Sequence, residues 1–159
     1  MAIKLFACGD LINFSGKPDF IDKRLLSVIS RSDLAICNFE APIELQNMSP
    51  IPKAGPHLYQ SKNSIKYLKQ AGFNIVSLAN NHIYDYGQDA LNATIKELRK
   101  HQVDFIGGGE TFEEAYQVKI VEKKDIRICF LAGCENEFGC LFEKKNRGGY
   151  AWIFNNLIE

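Results

Sequence analysis

At 159 residues the chain has the size of one ordinary domain and is long enough to bury a core. It is 46% apolar and 24% charged, the balance of a soluble globular protein, and 19 basic residues face 19 acidic ones, so no net charge points to nucleic acid or an anionic surface. No run approaches the roughly 20 apolar residues that cross a bilayer, and "MAIKLFACGD" lacks a signal-peptide layout, so the chain as written is expected in the cytoplasm.

Residues 2–8, "AIKLFAC", read as a strand ending at Gly9-Asp10. Pro18 suits a first helical position, and Leu25, Val28 and Ile29 extend a helical stripe to about residue 30. "LAIC" at 34–37 is a short buried strand. Residues 41–60 hold four of the five prolines without a clear period and form a long loop, a kind of segment that often carries function. Ser61 is expected to cap a helix bearing Ile65, Leu68 and Ala71 that stops at Gly72. "FNIVSLA" at 73–79 is another buried strand, and 88–101 is the clearest helix, with Ala90, Leu91, Thr94, Ile95 and Leu98 at helical spacing. "VDFI" at 103–106 is a strand followed by Gly107-Gly108-Gly109; Thr111 and Glu114 make a capping box; and "QVKIVEK" and "IRICFLAG" form a hairpin or two edge strands around "KKD".

The five cysteines, an odd count without a zinc-knuckle spacing, are expected to be structural thiols, with Cys8, Cys37 and Cys129 buried in strands. His57 and His101 are expected to be solvated.

Strand and helix alternate from residue 2 to residue 106, which implies an α/β fold with parallel strands and right-handed crossovers. Ligands bind such sheets at the carboxyl ends of the strands. Polar residues collect there: Asp10 after the first strand, Asn38 and Glu40 after the second, and Asn80, Asn81 and His82 after the third. Glu135-Asn136 follow the last. Asp10, Glu40, Asn81 and His82 offer two carboxylates, an amide oxygen and an imidazole, a set suited to a divalent ion such as manganese, iron, zinc or magnesium. His82 can instead serve as an acid toward a leaving oxygen, with Asp85 one turn away to orient its ring. Plainer readings compete: Gly9-Asp10 as an ordinary turn, Asn80 and Asn81 as residues tolerating left-handed backbone, Asp85 and Gly87 as the start of the next helix, and the glycine run as a hinge.

"CGD" (8–10), "CNFEAPI" (37–43), "AGFNIVSLANNHIYDYG" (71–87) and "IGGG" (106–109), in this order, resemble the CapA-type poly-gamma-glutamate capsule-biosynthesis proteins, a branch of the calcineurin-like metallophosphoesterase superfamily. The resemblance implies a sandwich of mainly β sheets, parallel or mixed, flanked by helices, with a metal centre at the strand ends. It implies Asp10, Glu40 and Asn81 as metal ligands (manganese, iron or zinc), His82 facing a scissile phosphate with Asp85 holding it, and Asn38 and Asn80 shaping the pocket. The substrate implied is a phosphate ester or an anionic polymer, hydrolysed with metal assistance; a second reading is a non-catalytic component of a capsule synthesis or export assembly. Family members commonly sit outside the membrane. The family's later His-Trp-Gly-like and Gly-His-His-Pro-His-like segments find no counterpart, since no histidine follows His101. Residues 1–159 are therefore expected to be a single domain of this type, incomplete at its C-terminal side and prone to self-association, with a further helix and strand expected around "YAWIFNNLIE".

Overall fold

The computed structural model describes residues 2–141 and 147–153. Its elements run β1 (Leu5–Leu11), α1 (Lys23–Ile29), β2 (Leu34–Phe39), α2 (Ser64–Ala71), β3 (Ile75–Ser77), α3 (Gly87–Lys100), β4 (Asp104–Ile106), β5 (Gly108–Gly109), α4 (Phe112–Ala115), β6 (Lys119–Lys123), β7 (Ile126–Phe130), β8 (Cys140–Leu141) and β9 (Gly149–Ala151). The first four strands form one parallel sheet in the order β1-β2-β3-β4, so the expected α/β architecture with a mainly parallel sheet is the one observed.

Burial alternates along β2 because successive side chains point to opposite faces. Ala35, Cys37 and Phe39 join Ile29 of α1, Ile65 and Leu68 of α2, and Leu91, Ile95 and Leu98 of α3 in the larger core. Leu34 and Ile36 face the other way and meet Ile75, Ile106, Val121, Ile128 and Phe130 in a smaller one. Helices thus cover one face of the sheet, and the β6–β7 hairpin lies on the other. All five stripe residues predicted for α3 are buried, each large apolar one stabilising the fold by about 1.5–3 kcal/mol. The hairpin turns on Lys124 and Asp125, both at positive φ, as a tight two-residue connection requires.

Several expectations need correction. β1 runs on through Gly9-Asp10 to Leu11, so that dipeptide is no turn; instead the register slips between Ala7 and Asp10, an irregularity of bulge type. Pro18 lies outside α1, which begins only after Asp22, whose carboxylate accepts the Arg24 amide at 2.8 Å; Gly16-Lys17 before the proline supply no such cap. Leu25 and Val28 are exposed, and of that stripe only Ile29 is buried. Ser61 does not cap α2: the helix follows Asn63, and Ser61 builds the preceding turn, its carbonyl accepting the Ser64 amide. Gly72 does close α2 in left-handed backbone, at φ 106°. Cys37 is buried, but Cys8 and Cys129 are exposed, Cys8 on the outermost strand and Cys129 on the outer face of the hairpin; all five thiols are free.

The glycine run is no hinge either. Gly108–Gly109 pairs antiparallel with β9, and β8 joins β9 to complete a second, three-stranded sheet. A Cβ on Gly107 would stand 2.6 Å from the Cβ of Ala79, and one on Gly108 2.7 Å from that of Leu78. Gly107 and Gly108 lie directly against Ala79 and Leu78, which lead into the Asn80-Asn81-His82 turn, whereas Gly109 is closed in by Glu114 and Ala115. Among the described residues no helix is long and apolar enough to cross a membrane. The expectation for the terminal stretch falls outside the described residues from 154 onward.

Candidate functional site

The parallel register assembles the polar cluster. Asp10 pairs with Asn38, and Asn38 with Ser77, so three strand ends meet in one row. The Asn38 side-chain amide donates to Asp10 Oδ1 at 2.8 Å and to Glu40 Oε2, bridging the two carboxylates. Glu40 is 9% exposed. Its burial, and then the negative charge of Asp10, push its carboxyl above the usual range, while the His82 imidazole and the Asn38 amide pull the other way. Two carboxylates held at an amide's width from each other are an arrangement that a cation relieves.

Asn80 organises the turn that follows β3. Its Oδ1 accepts the amides of His82 and Ile83 at 3.1 and 2.8 Å, and its Nδ2 donates to Asn38 Oδ1 and to the Phe39 carbonyl, both at 3.0 Å. A chain of amides therefore runs from Asn80 through Asn38 to Asp10 and Glu40. Neither Asn80 nor Asn81 has a positive φ, so the turn rests on side-chain hydrogen bonds and not on left-handed backbone. The Asn81 side chain makes no hydrogen bond among the described residues, which leaves its amide oxygen uncommitted.

Asp85 is fully buried and does not cap α3, whose first residue follows Tyr86. Its Oδ2 lies 2.7 Å from His82 Nδ1 and accepts the Leu58 amide at 2.7 Å, and its Oδ1 accepts from Lys53 Nζ. Sequence reasoning missed Lys53. It sits in the proline-rich loop, its side chain only 4% exposed, with Nζ also 3.4 Å from the Asn81 carbonyl and from His82 Nδ1. The one signal for it was its place in a long irregular loop.

His57 and His101 are half-buried, in contact with solvent but also partnered: His57 Nε2 lies 2.7 Å from the Ile51 carbonyl, and His101 Nε2 lies 3.6 Å from Glu97. At the edge of the site, Cys134 sits close enough to Glu135, Glu137 and Glu40 that, with burial the larger cause, its thiol is pushed up. Cys8 lies beside Cys37, and a hydrogen bond from that thiol draws Cys8 down to about 7. Among the described residues no three His, Cys, Asp or Glu side chains group as a metal shell would need. The Asp10 and Glu40 carboxylates, bridged by the Asn38 amide, are oxygen donors of the kind a hard divalent ion takes.

Comparison with known proteins gives the chain its family. The family model described as "Bacterial capsule synthesis protein PGA_cap" matches residues 4–153, and the chain belongs to that family. "Capsule biosynthesis protein CapA" of Bacillus anthracis is 30% identical over 124 residues, 77% of this chain. "PGA biosynthesis protein CapA" of Bacillus subtilis (strain 168) is 32% identical over 97 residues, 61% of this chain. The matched stretches span 30% and 26% of those relatives' own lengths, so the chain corresponds to less than a third of each.

Proposed function

We propose that this domain hydrolyses a phosphate ester with the help of a divalent cation held by Asp10, Glu40 and Asn81, in the service of poly-gamma-glutamate capsule or another cell-surface polymer. The observation that carries the reading is the Asn38-bridged pair Asp10–Glu40 beside His82 and the buried Asp85 that holds it, at the carboxyl ends of parallel strands. A cation in that position supplies Lewis acidity, offsetting phosphate charge and making water more acidic. The chain's own residues do the rest. Asn38 and Asn80 fix the two carboxylates, Asp85 holds the imidazole by Nδ1, and Nε2 is left to exchange a proton with the departing or attacking oxygen. The relatives' names support the link to capsule synthesis, and the carboxylate pair supports the cation.

The test is hydrolysis of aryl phosphate mono- and diesters by the protein loaded with manganese, iron(II) or zinc. Activity is expected to fall by about 10²–10⁴-fold in His82→Ala and to vanish in Asp10→Asn. Intact substrate with every metal, from a chain that is folded by circular dichroism, would sink the proposal. If polymer is retained on the folded protein and survives Asp10→Asn while no ester is cleaved, the domain is a non-catalytic component of the synthesis assembly.

A further inference from the structure

Lys53 is a lysine whose charged end is almost wholly withdrawn from water, in a loop that sequence alone reads as irregular. A buried ammonium persists only where it is paired. Its partner is Asp85, itself buried, and that carboxylate has three donors: Lys53 Nζ on Oδ1, and the Leu58 amide and His82 Nδ1 on Oδ2. With an ammonium on Oδ1 and an amide on Oδ2, this carboxylate acts as an acceptor throughout, and we assign the proton on the 2.7 Å contact to His82 to Nδ1. Nδ1–H then points at Asp85, and Nε2 carries the ring's lone pair.

We propose that Lys53 is a positioning residue: by neutralising the buried Asp85 it keeps that carboxylate a pure acceptor, and so holds His82 in the Nδ1–H tautomer with Nε2 presented to the Asp10–Glu40 pocket. Remove the ammonium, and the buried carboxylate has no counter-charge. The ring then loses the fixed acceptor opposite Nδ1 that sets its tautomer, and its hydrogen is free to move to Nε2, the wrong nitrogen for accepting a proton from substrate or water. The loop contributes the cation from 32 positions away, so the tautomer of His82 depends on that loop being seated. The inference rests on the proposed function only in taking His82 as the working group.

The experiment is a long-range ¹H–¹⁵N correlation spectrum of the histidine rings in the whole chain at about pH 8, where imidazole is ordinarily neutral. His82 is assigned by its loss in His82→Gln. In the wild type and in Lys53→Arg, His82 is expected as the Nδ1–H tautomer. In Lys53→Met, the Nε2–H form is expected to rise several-fold, and hydrolysis to fall in kcat with KM little changed, with Lys53→Arg restoring both. An Nε2–H tautomer in the wild type overturns the proposal without recourse to any variant, which covers a Lys53→Met that fails to fold. A folded Lys53→Met that keeps Nδ1–H as fully as wild type also overturns it. Should no form hydrolyse a phosphate ester while the tautomer still follows residue 53, the functional reading fails and the role of Lys53 stands.

Discussion

Glu40 is the side chain most exposed to the consequences of its neighbours. Burial and Asp10 raise its carboxyl above the ordinary value of 4.5, so the folded chain holds that proton more tightly than the unfolded chain does. The sign follows: this group does not penalise the fold below about pH 4, and its ionisation costs stability as pH rises through the folded value. With divalent ions chelated, Glu40→Gln is therefore expected to melt higher than wild type at pH 7–8, the gap closing below about pH 4. Thermal melts across pH check this, and a lower-melting Glu40→Gln at neutral pH would refute it. Of the cluster, Asp10, Glu40, Asn81 and His82 were legible because acidic, amide and imidazole groups recurred after apolar runs. Lys53 was not, because a lysine among prolines and glycines looks solvated until the fold brings Asp85 to it.

Two glycines test how the elements hold that cluster. Gly9 lies in the irregular stretch of β1, where an added Cβ meets nothing within 4 Å and the backbone is not left-handed. Gly108 lies in β5, where a Cβ would press on Leu78, two residues before Asn80. Gly9→Ala should thus leave stability within about 0.5 kcal/mol, whereas Gly108→Ala should cost about 1–3 kcal/mol by overpacking. Urea denaturation compares them, and equal midpoints would contradict the close crossing of the two sheets. The same contrast explains what could be read in advance. α3 was legible because five buried positions repeat at helical spacing. β5 was not, because glycines carry no pattern and its partner β9 arrives some forty positions later, from Gly149–Ala151. α1 was placed too early because a proline signals where a helix can start but not whether a cap precedes it.

At the level of the whole chain, the loop at 41–60 is closed at its base and tied to the pocket from Ile51 and Leu58. Gln60 pairs with Pro42 and Glu44 at its base, the Ile51 amide donates to the Asp85 carbonyl at 2.9 Å, and the Leu58 amide to the Asp85 carboxylate. Hydrogen exchange should therefore show the Ile51 and Leu58 amides opening together with those of His82 and Ile83, and Asp85→Asn should speed all four. Independent exchange of the loop amides would show that loop and pocket are separate units.

That shared anchor also ties closure of the loop to the site. The β3–β4 pair closes through α3, but the β2–β3 crossover carries the proline-rich loop as well as α2, so Asp85 acquires Lys53 and the Leu58 amide only when that longer connection seats against the turn after β3. A sheet with that loop unseated would leave the buried carboxylate without its ammonium and the histidine ring without its fixed partner.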